Sequence, residues 1–164
     1  MLSPWFQSVS RNAARTAFAI GLGAWLVASP PAGALNDGTQ LLSGGQSTTA
    51  NSTRFTAPGV GGHYSADFAG GRGEEAAQIR MPAGVLRNLK VHVMTESIPA
   101  SGSLRVRVRI DGANTVLTCQ VAGTGDCAKN KAVNVPAGGR LAISSSNTFV
   151  GAGAIAYSFT LLFD

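Results

Sequence analysis

Arg105, Arg107 and Arg109, set two residues apart, are the side chains of this sequence best placed to do chemistry. A guanidinium is a permanently charged planar fork that meets carboxylate or sulfate oxygens with two parallel hydrogen bonds. Alternate residues on a strand stand about 6 to 7 Å apart, so three such forks form a linear row suited to successive acidic groups of a polymer. Lys90 and His92 share this spacing and extend the row if their strand joins the same sheet. The implied chemistry is binding of an anionic polysaccharide or cell-surface polymer, weakening as salt rises. The plainer alternative is a solvated row that keeps an outer strand soluble and discourages edge pairing.

Catalysis has less to build on, and no catalytic residue is assigned. No Gly-x-Ser-x-Gly elbow for a serine nucleophile occurs. A glycosidase needs two carboxylates across a cleft, whereas Asp111 and Asp126 fall in turns, Glu74 adjoins Glu75, and Glu96 sits in a loop, all reading as solvated acids. A jelly-roll polysaccharide lyase is the best enzymatic alternative. It is weakened by Gln78-Ile79-Arg80, which carries arginine where such lyases carry the histidine of a Gln-x-His pair, and by the isolation of His92. Cys119 and Cys127 are the only cysteines, an even pair flanking the turn-rich stretch 122–126, and are expected to form a disulfide. Two cysteines alone cannot complete a zinc site, and His63 and His92 lie at no ligand spacing from them, so neither metal nor cofactor is expected.

These side chains must be positioned by strands. Leu104 to Ile110 alternates branched apolar residues with arginine at period two, which predicts a strand with Leu104, Val106, Val108 and Ile110 buried and the arginines outside. Asp111-Gly112-Ala113-Asn114 is turn chemistry, and Thr115 to Val121 returns antiparallel. Closing a four-residue loop sets Ile110 opposite Thr115, Val108 opposite Leu117, Val106 opposite Cys119 and Leu104 opposite Val121. Outside, Arg105 then faces Gln120, Arg107 faces Thr118 and Arg109 faces Val116, none of which neutralises the row.

Elsewhere, Ala77, Ile79 and Met81 alternate as a strand, as do Leu89, Val91 and Val93, with Lys90 and His92 on the wet side. Pro82-Ala83-Gly84 and Pro136-Ala137-Gly138 each follow a short strand and predict type I corners. Ile155, Tyr157, Phe159, Leu161 and Phe163 share the core face of a long closing strand, with Ala156, Ser158 and Thr160 opposite. From 35 to 73 the chain is polar and rich in Gly, Ser and Thr, with edge-strand candidates at 52–56 and 64–68; a body spans 74–164. The sum is an all-β fold, a two-sheet antiparallel sandwich of jelly-roll type with about eight strands; an immunoglobulin-like sandwich is the alternative.

Residues 1–34 read as a secretory signal. Arg11 and Arg15 precede an apolar run ending before Pro30, and Ala32-Gly33-Ala34 is an A-x-A cleavage site. The run is shorter than the roughly 20 residues that cross a bilayer, so no membrane span is expected after cleavage. Removing it leaves 130 of 164 residues, with 11 basic against 8 acidic side chains, too mild a charge for specific nucleic-acid binding. Secretion, a periplasmic place or the cell surface follows.

The stretch Ala83 to Leu89, the Asp111-Gly112 hairpin carrying Leu117-Thr118-Cys119 with the second cysteine, and Val133-Asn134-Val135-Pro136-Ala137-Gly138 together resemble a loose group of uncharacterised bacterial and phage secreted proteins with a cysteine-pair hairpin. The resemblance covers about 76 to 163, implies a jelly-roll-like sandwich, and carries no catalytic residue across. The expected function is therefore that of an exported non-enzymatic surface, structural or binding protein, a homo-oligomer being one form it takes. A carbohydrate-binding module for neutral glycans is disfavoured because Trp5 and Trp25 leave with the signal, and Tyr157 and Phe159 lie on the core face.

Overall fold

Burial alternating with exposure at period two runs through most of the strands, which is what a sheet with one dry and one wet face requires. The computed structural model describes residues 38–59, 62–94, 101–151 and 153–164; the expected export segment lies outside these. In chain order the elements are β1 (Gln40–Thr48), β2 (Ser52–Thr56), β3 (Tyr64–Ser65), a short helix α1 (Gly73–Ala77), β4 (Ile79–Arg80), β5 (Gly84–Val93), β6 (Leu104–Ile110), β7 (Ala113–Val121), β8 (Asp126–Val135), β9 (Arg140–Asn147) and β10 (Ile155–Phe163). A four-stranded sheet has the order β1-β10-β5-β8, and a six-stranded sheet the order β3-β2-β9-β6-β7 with β4 beside β9. Setting aside the two-residue strands β3 and β4, the eight others interleave as β1-β10-β5-β8 over β2-β9-β6-β7, all antiparallel. This crossing from sheet to sheet is jelly-roll connectivity, in place of the immunoglobulin-like alternative.

The polar stretch before residue 73 supplies more than short edges. β1, which the period-two reading did not single out, pairs with β10 over nine residues, and β2 lies hydrogen-bonded to β9. Gly44 and Gly45 explain why β1 reads poorly as a strand. A Cβ at Gly44 would sit 2.8 Å from the Phe159 ring, and one at Gly45 would sit 2.9 Å from the Tyr157 carbonyl.

The central hairpin forms, but its turn differs from expectation. Asp111 and Gly112 both adopt positive φ, 50° and 79°, and connect Ile110 directly to its partner Ala113. A two-residue turn of this kind matches the right-handed twist of its strands, whereas a four-residue loop does not form. Arg109 therefore faces Asn114, the expected pairings of Ile110 with Thr115 and Arg109 with Val116 are replaced, and Val108 falls at the register shift without the expected Leu117 partner. Two extra residues are absorbed as a bulge, within which Thr115 Oγ1 donates to the Val108 carbonyl at 2.8 Å. Because the slip is two residues, the inner and outer sets are preserved, and Leu104–Val121 and Val106–Cys119 pair as expected.

The second Pro-Ala-Gly corner is also shifted by one residue. Gly139 N–H donates to the Pro136 carbonyl at 2.9 Å and Gly138 has φ 77°, the signature of a type II turn rather than type I. The strand expected from Ala77 is interrupted as well, since Ala77 closes α1 and only Ile79 and Arg80 pair with β9.

The core joins the inner faces of both sheets, with Leu86, Leu89, Leu104, Val106, Val108, Leu117, Leu141, Ile143, Tyr157, Phe159 and Leu161 all essentially inaccessible. Within it lies a polar cluster. Gln46 Nε2 donates to Ser145 Oγ at 2.6 Å and to the Tyr157 hydroxyl at 2.5 Å. Desolvation pushes the Tyr157 hydroxyl pKa up to about 12, against the opposing hydrogen bonds from Ser145 and Gln46. A phenol buried this deeply cannot serve a surface reaction.

Candidate binding faces

The five cationic candidates do not share a face. Arg105, Arg107 and Arg109 lie on the outside of β6 in the six-stranded sheet, whereas Lys90 and His92 lie on the outside of β5 in the four-stranded sheet. Since the two outer faces of a sandwich point away from one another, the continuous basic face extended by Lys90 and His92 is not formed. Period-two alternation gives the face of a strand but not its sheet.

Along β6 the three arginines have three different environments. Arg109 is neutralised: its Nε donates to Glu74 Oε1 at 2.7 Å, with both side chains less than one-fifth exposed. Its other nitrogens donate to Asn114 Oδ1 and the Gly112 carbonyl, and its guanidinium stands 5.9 Å from the centre of the Phe55 ring. Glu74 reaches it from α1, so an acid expected to be solvated is instead the counterion of the row. The helix lies close to the sheet because Gly73 has no side chain; a Cβ there would fall 1.9 Å from the Ser65 carbonyl oxygen. Arg105 donates through Nε and Nη2 to Gln120 Oε1 at 3.1 and 2.7 Å, a neutral partner that fixes the fork without cancelling its charge.

Arg107 is half-buried and has no side-chain hydrogen bond or ion pair among the described residues. Its lateral neighbours are Thr118 on β7 and Ser144 on β9. Burial first, then Arg105 and Arg109, lower its pKa from the ordinary guanidinium value. A guanidinium remains charged at neutral pH despite such shifts.

The opposite face carries a groove of about 480 Å³ lined by Lys90, His92, Asp126, Ala128, Ser158 and Thr160. Lateral pairing builds it: Ser158, His92 and Asp126 form one row across β10, β5 and β8, and Thr160, Lys90 and Ala128 form the next. His92 Nδ1 and Asp126 Oδ1 are 2.5 Å apart, so an acid read as a solvated turn residue orients the imidazole. Ser158, His92 and Asp126 are the residue types of a hydrolytic triad, but no hydrogen bond joins Ser158 to His92 in the structure. Mid-sheet backbone N–H groups are committed to ladder bonds, which leaves no oxyanion donors beside the serine.

Cys119 and Cys127 form a disulfide with Cα atoms 5.7 Å apart. It joins β7 to β8, the edges of the two different sheets, and so does more than hold the 122–126 connection. Among the described residues no group of three His, Cys, Asp or Glu could hold a metal, and no helix is long and apolar enough to cross a membrane.

Sequence reasoning missed Glu74, Asp126, Ser158 and Thr160 as site neighbours. The period-two pattern had put Ser158 and Thr160 on a wet face, but nothing in it gives the identity of the strand alongside.

No family model matches the chain, and no curated protein matches it. Among solved structures, the chain is similar to cowpea mosaic virus top component, the naturally occurring empty particles, at 8% identity and a TM-score of 0.41, covering 80% of this chain and 85% of that one.

Proposed function

We propose that this chain is an exported, non-catalytic β-sandwich protein that binds an anionic polysaccharide through Arg105 and Arg107 on the outer face of its six-stranded sheet. The observation that carries the reading is Arg107, a half-buried guanidinium without a protein acceptor among the described residues. Partly desolvated charge is costly when unpaired, and a carboxylate or sulfate at this position would relieve it while also screening Arg105 from Arg107. The secretory pattern of residues 1–34 and the disulfide support export.

Retention on a sulfated-polysaccharide column developed with a salt gradient tests the reading. The Arg105→Ser/Arg107→Ser variant is expected to elute at clearly lower salt with an unchanged circular dichroism spectrum. Unchanged retention overturns the proposal. Arg109 is left in place because its removal would strand Glu74.

A homo-oligomeric surface component is a second reading, supported by the edge strand β1. Its sequence, Gln40 to Thr48, contains no charge and no proline, whereas the edge strand β8 carries Lys129 and Lys131. Uncharged edges are templates for pairing with another copy. Concentration-dependent sedimentation with a dimer limit would support this reading, and a monomer at all concentrations would remove it.

A further inference from the structure

We propose that the groove on the outer face of the four-stranded sheet is a second binding site, taking one carboxylate-bearing sugar ring, a hexuronate. This site is independent of the arginine face and differs from it in chemistry. Its floor is low where Ser158, Thr160 and Ala128 are short, on either side of the taller Lys90 and His92 of β5, with Asp126 beside His92. The volume of about 480 Å³ falls in the range of small-ligand sites.

Charge selects the ligand class. Asp126 is hydrogen-bonded to His92, and the neighbouring Arg87 is paired with Asp164. Lys90, exposed and without an ion pair among the described residues, is the cation of the groove that no acid of the protein holds. One positive charge calls for one negative group, and an ammonium on a flexible stem accepts a carboxylate without the planar geometry that a guanidinium imposes. The remaining groups are those that a polyol needs. The Ser158 and Thr160 hydroxyls donate and accept, Asp126 Oδ2 accepts, and the Asp126 contact at Nδ1 leaves His92 Nε2 for the ligand. A ring presenting a carboxylate beside adjacent hydroxyls matches this set, whereas a simple carboxylate would leave Asp126 and both hydroxyls unused.

The test is a titration of the purified protein with free galacturonate, followed by amide chemical shifts, with galactose and acetate as controls. Expected are saturable shifts at Lys90, His92, Asp126, Ser158 and Thr160 with galacturonate, at least about tenfold weaker binding of each control, and a similar loss in Lys90→Gln and in Asp126→Asn. The same shifts should persist in Arg105→Ser/Arg107→Ser, which separates this site from the arginine face. The proposal is overturned by an absence of shifts at these residues, by equal response to galactose or acetate, or by a response that disappears with the arginines.

Discussion

At the scale of single residues, environment rather than type decides what each cation does. Three arginines of identical spacing become a counterion-bound anchor at Arg109, a fork held by a neutral amide at Arg105, and, among the described residues, an unpartnered charge at Arg107. Tyr157 illustrates the same rule in the core, since its hydroxyl accepts from Gln46 and its burial holds the proton on. Replacing Tyr157 by Phe leaves the Gln46 amide with Ser145 alone and is expected to cost about 1–2 kcal/mol, measurable by urea denaturation. The pH dependence follows from the raised folded pKa. The neutral phenol is favoured in the fold, so its contribution is complete below pH 10, where the unfolded tyrosine titrates, and is lost as pH rises through about 12. Alkaline destabilisation between these values should therefore be shallower in Tyr157→Phe than in the parent; equal slopes would contradict this account.

At the scale of elements, the short helix α1 is the part that edits the candidate site, because it delivers Glu74 to Arg109 and depends on Gly73 to approach the sheet. Gly73→Ala is expected to push α1 away from the Ser65 carbonyl, destabilising the protein by about 1–3 kcal/mol as overpacking does. It should also free Arg109 and raise the salt concentration needed for elution from an anionic column. Glu75→Gln, altering an exposed side chain of the same helix, should leave stability unchanged. Loss of stability with no gain in retention would show that Arg109 stays covered by other means. None of this was legible in the sequence, where Glu74-Glu75 is a pair of acids beside a glycine cluster. Strand faces were legible because burial at period two is written locally, as in Leu104 to Ile110 and Ile155 to Phe163. Which strands lie side by side is not written locally. Lys90 and His92 look like a continuation of the arginine row until β5 is found in the other sheet, and Gly44 and Gly45 conceal β1 because their value is the space they leave for Phe159 and the Tyr157 carbonyl. The hairpin turn was misjudged for a different reason. Asp-Gly supports a two-residue turn outright, but the extra residues Thr115 and Val116 mimic a longer loop unless a bulge is allowed for, and Val116 is accordingly 58% exposed.

At the scale of the whole molecule, the sandwich has two open sides, and the disulfide closes one of them. β7 and β8 are the outermost strands of their sheets there, and Cys119–Cys127 ties them across the gap between sheets. β8 needs the tie. Among the described residues it pairs only with β5, and of its ten residues only Val135 is fully buried, so little apolar surface holds it down. Removing the bridge in Cys119→Ala/Cys127→Ala frees a short loop in the unfolded chain, expected to cost about 2–3 kcal/mol and to lower Tm by roughly 10 °C for a domain of this size. The loss should also be local. Amides that β8 and β5 share should exchange faster in the variant at temperatures well below Tm, while those between β6 and β9, in the middle of the other sheet, should not. Because Asp126 opens β8 and its neighbour across the ladder is His92, peeling of this strand dismantles the groove before the fold is lost. Galacturonate shifts should therefore weaken in the cysteine variant at a temperature where the arginine face still retains the protein on an anionic column. Simultaneous loss of both would mean that the bridge stabilises the sandwich as a single cooperative unit and that β8 has no separate tendency to open.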